Sequence, residues 1–233
     1  MRPESALTSP TMGEVQERAG AVDGGAGMPV VGILGGIASG KSTASEALAD
    51  DPRWIVSADR IAQEVLDSPA VVAQVAETFG AEVLGPDGRP DRAALAARVF
   101  DDPEARARLE SWIHPRVRAT IRARLEEAAA AQAALVVLDV PLLLEHAEQH
   151  GLLAACDALV FVDTPDATRD ARARETRGWP AGEVARRERA QLPLSEKRRR
   201  ADHVLPNDGT RNQLTQAAAA LRVRLLDAAA RRE

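Results

Sequence analysis

Residues 35–42 read Gly-Gly-Ile-Ala-Ser-Gly-Lys-Ser, matching the pattern G-x-x-x-x-G-K-[ST]. The pattern sits between a short aliphatic run at 30–34 and a helix-like stretch from about 41 to 50. In that context it constrains the chain more than any other feature. Its glycines let the backbone curl until successive N–H groups point inward at phosphate oxygens. The helix that starts there adds its positive end. Lys41 supplies a mobile ammonium for the β- and γ-phosphates, and the Ser42 hydroxyl is placed to coordinate Mg2+. Such a loop holds a nucleoside triphosphate with Mg2+.

The rest of the chain supplies a sheet for that loop. Aliphatic runs recur at 54–56, 135–138, 159–162 and, briefly, 203–205. Asp59 follows the second run and opens a helical stretch; 70–80 and 91–131 read as helical, with Gly85-Pro86-Asp87-Gly88 as a turn between them. In the last stretch Leu214, Ala218, Leu221 and Leu225 share one helical face. Continuously aliphatic strands separated by helices predict a parallel sheet covered on both faces, an α/β three-layer sandwich. The 233 residues suffice for one domain. Tyrosine is absent and aromatics make up 3% of the chain, so aliphatic side chains must build the core.

Residues 1–27 are rich in Gly, Pro, Ser, Glu and Ala and lack the basic start and apolar segment of a signal peptide. The expectation is a disordered extension at 1–28 and a folded domain at 29–233. A net charge of −5 argues against a general nucleic-acid or membrane binder. No run of about 18 apolar residues occurs, so no transmembrane helix is expected. The single cysteine, Cys156, precludes an internal disulfide and fits a reducing, cytoplasmic setting. Its apolar surroundings favour a buried small hydrophobe over a nucleophile. A monomer is expected.

Three fates for the triphosphate compete: transfer to a small molecule, a GTPase switch, and an ATPase motor or binding module. A guanine-reading Asn-Lys-x-Asp is missing; the nearest segment, Leu205-Pro206-Asn207-Asp208, lacks the Lys. A motor would place paired carboxylates after a strong strand, but Asp139 is followed by Val140-Pro141. Asp139 is then either an anchor for a Mg2+-bound water or a strand-end cap. Transfer needs a base for the acceptor hydroxyl. Asp59 should stand at the carboxyl edge of the sheet, where ligands bind, and reads equally as that base or as a helix N-cap. From Thr168 the chain runs Thr-Arg-Asp-Ala-Arg-Ala-Arg-Glu-Thr-Arg-Gly-Trp-Pro. Such a run is ordinarily a solvated helix face. Arginine, however, is the side chain that closes on phosphate, and Gly178-Trp179-Pro180 offers a hinge. A lid bearing Arg172 and Arg177 is expected, with Arg169 as a solvated neighbour.

Together, "GILGGIASGKST", "SADRIAQEV", "IHP" at 113–115, "DVPLLLE" at 139–145, "RGW" at 177–179 and "QLPLSEKRRRADHVLPNDG" at 191–209 resemble the dephospho-CoA kinase family over roughly residues 30–228. The resemblance implies a P-loop kinase fold with a helical acceptor-binding region at about 60–131 and a lid at about 166–190. It implies ATP-dependent phosphorylation of the ribose 3′-hydroxyl of dephospho-CoA, with ATP, Mg2+ and dephospho-CoA as ligands. By the same resemblance Asp59 is the acceptor-side aspartate, and Gly36 and the segment Ala38, Ser39, Gly40, Lys41, Ser42, Thr43 hold the ATP phosphates. Arg172 is a catalytic lid arginine beside Arg177, Asn207 lies near the adenine, and His114, Pro141, Leu142 and Leu143 bind the acceptor. His114 also precedes Pro115, a good first helical residue, and so reads alternatively as the flank of a helix start. Two departures stand out. Ala38 replaces a usual glycine, which costs about 1 kcal/mol unless the backbone there is ordinary. Ser57 replaces the first aspartate of the family's Asp-Ala-Asp. A different nucleotide kinase and a non-transferring ATP sensor remain as alternatives.

Overall fold

The computed structural model describes residues 28–49 and 51–232. The expected extension over 1–27 lies outside them. Met28 is described and is buried in the core.

Five strands form one parallel sheet in the order β2-β3-β1-β4-β5: β1 Val30–Gly35, β2 Ile55–Ser57, β3 Val136–Asp139, β4 Ala158–Asp163 and β5 His203–Pro206. The helices are α1 Lys41–Leu48, α2 Ala58–Leu66, α3 Pro69–Phe79, α4 Arg92–Phe100, α5 Pro103–Ala130, the single turn α6 Ala147–His150, α7 Asp166–Arg177, α8 Glu183–Glu188, α9 Leu194–Arg199 and α10 Arg211–Ala230. The α/β three-layer arrangement predicted from the aliphatic runs is the one observed.

Alternation along each strand divides the core into two layers. Val31, Ile33, Val137, Val160 and Val162 face α1 and α10, where Leu214, Ala218, Leu221 and Leu225 form the expected stripe. Each fully buried leucine there contributes roughly 1.5–3 kcal/mol. Val30, Leu34, Val136, Leu138, Leu159 and Phe161 face the other layer, filled largely by α2 to α5.

Three sequence expectations about helices are corrected. The stretch 91–131 is two helices, because Asp102 caps a new start by accepting the Ala105 N–H at 2.9 Å, with Pro103 at the first helical position. Pro115 opens no helix; it lies inside the 28-residue α5. The buried stripe Val117, Ile121, Leu125 and Ala128 carries α5 on, and the Arg116 guanidinium donates to the Trp112 carbonyl at 2.7 Å beside the proline. His114 is therefore a mid-helix residue. Asp59 is not a cap either: Ser57 caps α2, its Oγ accepting the Arg60 N–H at 3.4 Å, and Asp59 lies in the first turn.

Candidate active site

The loop between β1 and α1 is held from behind. The Ser39 carbonyl accepts from Thr164 Oγ1 and from Asn207 Nδ2, each at 2.8 Å. Gly40 has φ 90°, and a Cβ on it would lie 2.6 Å from Asn207 Nδ2, so only glycine fits. Ala38 adopts φ 57°, a left-handed conformation, so the strain of about 1 kcal/mol that its methyl threatened is present. The Lys41 ammonium lies across the loop, donating to the Gly35 carbonyl at 3.0 Å and the Gly36 carbonyl at 2.9 Å. Burial lowers its pKa; Asp139 opposes that, and Lys197 and Arg177 add to it.

A cleft of about 530 Å³ opens over this loop. Ala38, Ser39, Gly40, Lys41, Ser42 and Thr43 form one wall. Asp59, Asp139, Arg172, Arg177, Thr176 and Gln191 face it. Parallel strands place these groups together: β2 and β3 end at the same edge, with Ser57 in register with Asp139. Asp139 has its pKa raised, chiefly by burial, with Lys41 pulling the other way and Asp59 pushing it further up.

A second cleft of about 470 Å³ adjoins the first. Val117, Ile121, Val140 and Leu152 supply its apolar surface, and His114, Glu110, Arg118, His146 and Gln149 are among its polar groups. His150 also lines it; the imidazole accepts the Leu152 N–H at Nδ1, 3.0 Å, and burial lowers its pKa. Asp59 and Pro141 line both clefts.

Most residues singled out in the sequence converge here, but four do not sit as expected. Leu143 is fully buried and packs in the core beside Gly32 instead of lining a cleft; Leu142 does line the second one. Gly36 is turned to the opposite side of the loop, where a Cβ would lie 2.5 Å from Arg169 Nη1. Asn207 is buried, its amide nitrogen engaged by Ser39 and its oxygen 3.5 Å from Arg172 Nη2. Arg169 is not a solvated neighbour. It is 3% exposed and bonds Glu188 at 2.6 Å and Asp166 at 2.7 Å. Burial works against its charge, but the two carboxylates more than offset this and raise its pKa. The loop passing over α7 encloses it, a long-range contact that no charge pattern announces. Glu188 Oε1 also accepts the Ile37 N–H at 2.7 Å, tying α8 to the loop.

Sequence reasoning missed Thr176, Gln191 and Glu188, and left Asp139 between two roles. Only the strand-end position of Asp139 signalled it. Cys156 is buried, as its apolar setting suggested.

A parallel sheet whose first strand runs into this loop, with carboxylates and arginines facing the loop lysine, defines a P-loop phosphotransferase. Comparison with known proteins narrows the class. The family model for dephospho-CoA kinase, CoaE, matches residues 29–213. Dephospho-CoA kinase of Anaeromyxobacter dehalogenans is 45% identical over 184 residues, 78% of this chain and 85% of that one. The Corynebacterium glutamicum enzyme of the same name is 38% identical over 198 residues, 84% and 96% of the two chains. The crystal structure of TT1252 from Thermus thermophilus superposes with a TM-score of 0.68 at 35% identity, covering 85% of this chain and 98% of that one. The structure of dephospho-CoA kinase from Campylobacter jejuni, 22% identical with a TM-score of 0.62 over 85% and 97% of the two chains, shares the fold. The chain belongs to the dephospho-CoA kinase family and is a kinase. Among the described residues no helix is long and apolar enough to cross a membrane.

Proposed function

We propose that the protein transfers the γ-phosphoryl group of ATP to the ribose 3′-hydroxyl of dephospho-CoA, giving coenzyme A and ADP. The observation that carries this reading is the position of Asp59 in the wall of both clefts. One cleft has the loop and cations that suit a triphosphate. The other has the size and mixed polarity that suit a nucleotide with an organic tail. A carboxylate common to both is where an acceptor hydroxyl would meet the phosphoryl group.

The roles follow from chemistry. Loop N–H groups and Lys41 hold the β- and γ-phosphates. Asp59 orients the acceptor hydroxyl and takes its proton as the new O–P bond forms. Arg172 and Arg177 neutralise charge on the phosphoryl oxygens. His114, Pro141 and Leu142 contact the acceptor. Asn207 acts on the nucleotide through the loop it holds. Ser42 and Asp139 provide one hydroxyl and one carboxylate, the hard oxygen donors that suit a Mg2+ ion shared with substrate phosphates and water. Among the described residues no three His, Cys, Asp or Glu side chains form a dedicated metal cage, in keeping with that shared mode. A bound Mg2+ would supply positive charge to offset that of the phosphate oxygens. In this reading residues 29–233 are one kinase domain, with an acceptor-binding helical region at about 60–131 and a lid at about 166–190.

The test is incubation of the purified protein with ATP, Mg2+ and dephospho-CoA. The expected product is coenzyme A, with phosphorus NMR placing the new phosphate on the 3′-oxygen. Transfer to a different nucleotide only, or ATP binding without transfer, would replace this reading with one of its alternatives.

A further inference from the structure

Glu145, Lys197 and Gln191 form a polar chain between the two clefts. Lys197, on α9, is 3% exposed. Its ammonium lies 2.8 Å from Glu145 Oε1 and donates to Gln191 Oε1 at 3.1 Å. The same Glu145 oxygen accepts the Leu192 N–H at 3.0 Å. Glu145 lies between Leu142 and His146, which line the acceptor cleft, while Gln191 lines the phosphate cleft.

A buried ion pair is a poor way simply to join two segments, because well-packed apolar residues of similar volume do so at least as stably. This pair does something an apolar pair cannot. An ammonium only donates, so the atom it contacts on Gln191 must be the amide oxygen. The oxygen is thereby committed to Lys197 and the amide nitrogen is turned away from it. Among the described residues no group accepts a hydrogen bond from Gln191 Nε2.

We infer that Gln191 is a further catalytic residue, donating through Nε2 to an oxygen of the phosphoryl group in transfer, and that Lys197 is the positioning residue that fixes its amide. The donor is neutral and held before the reaction begins. It therefore adds stabilisation as charge redistributes over the phosphoryl oxygens without reorganising. Glu145 keeps the Lys197 ammonium in place and anchors the backbone next to Gln191 through Leu192. This assignment rests on the phosphoryl-transfer reading above.

The experiment compares wild type with Gln191→Leu, Gln191→Glu and the double variant Lys197→Met/Glu145→Leu, measuring kcat, both KM values and the melting temperature. Removal of one preorganised donor costs on the order of 10²-fold in kcat. Gln191→Leu should show that loss with little change in KM or melting temperature. Gln191→Glu keeps an acceptor for Lys197 but has no donor, so it should be at least as slow. The double variant removes both charges together but also the acceptor of the Leu192 N–H, so it should melt somewhat below wild type and be as slow as Gln191→Leu. Adding Gln191→Leu to it should cost little more. Wild-type kcat in Gln191→Glu, or in a folded double variant, overturns the assignment. Should the double variant not fold, the two half-exposed Gln191 variants decide the matter alone. A wild type that never phosphorylates dephospho-CoA overturns the reading of the site itself; normal transfer by both wild type and Gln191→Leu overturns only this inference.

Discussion

Asn207 Nδ2 donates to the Ser39 carbonyl at 2.8 Å, joining the end of the sheet to a loop 168 residues earlier in the chain. Thr164 Oγ1 donates to the same oxygen. Either donor alone satisfies that buried carbonyl, so Asn207→Ala and Thr164→Val should each be mild. Together they leave it unpaired, at about 1–3 kcal/mol. The double variant should lose more stability than the sum of the singles and bind ATP more weakly, as read by denaturant unfolding and calorimetric titration. Strict additivity would mean that the carbonyl finds another partner.

Asp59 and Ser57, two residues apart, should separate cleanly. Asp59→Asn removes the proposed base and should lower kcat about 10²–10⁴-fold, with ATP affinity nearly unchanged. Ser57→Ala removes a helix cap whose hydrogen bond is long, 3.4 Å, so a loss near 0.5 kcal/mol of stability and little of kcat is expected. Rate measurements with dephospho-CoA beside thermal melts distinguish the two. An Asp59→Asn rate above about a tenth of wild type would remove it from the proton-transfer role.

Arg169 and Arg172, neighbours on α7, should fail in opposite ways. Arg169→Ala strands the Glu188 carboxylate under the loop. Breaking such a pair costs about 3 kcal/mol at the lower end, roughly 6–12 °C in melting temperature for a chain of this length. Arg172→Ala should leave melting nearly unchanged and reduce kcat. Equal melting temperatures for the two variants would contradict the burial of Arg169.

Glu145 gives an acid signature. Burial raises its pKa, but hydrogen bonds from Lys197 and the backbone, with the Lys197 charge, bring it below the ordinary value overall. A carboxylate depressed in the folded state contributes stability that is complete above its unfolded pKa, about 4.3, and is lost as pH falls through the lower folded value. Glu145→Gln should therefore melt below wild type at neutral pH, with a gap that narrows from about pH 4 downward. Melting curves across that range check it; a gap independent of pH would mean that the carboxylate charge is irrelevant to folding.

Much of the molecule is written locally. The loop Gly35–Ser42 carries its own chemistry because phosphate binding uses backbone N–H groups, one lysine and one hydroxyl within eight residues. The strands declare themselves because burial on both faces demands unbroken aliphatic runs, and α10 does so because its four buried residues, Leu214, Ala218, Leu221 and Leu225, repeat at helical spacing. Strand ends follow from those runs, which is why Asp59 was found beside the cleft, and Asp139 noticed without its role being settled.

Tertiary structure decided whatever depends on residues meeting across the chain. Arg169 looks like any member of a basic run until the loop covers it, and Pro115 looks like a helix start until the stripe from Val117 to Ala128 holds the helix through it. Leu142 and Leu143 are chemically alike; only their placement sends one to the cleft and the other into the core. Gln191 and Lys197 stand in a segment legible only as part of a family resemblance, because the Gln191 amide acquires direction only when the Lys197 ammonium on α9 takes one end of it. Covalent sequence sets which groups are available. Their burial, and with it their charge state and orientation, is set by contacts that exist only once the sheet has assembled.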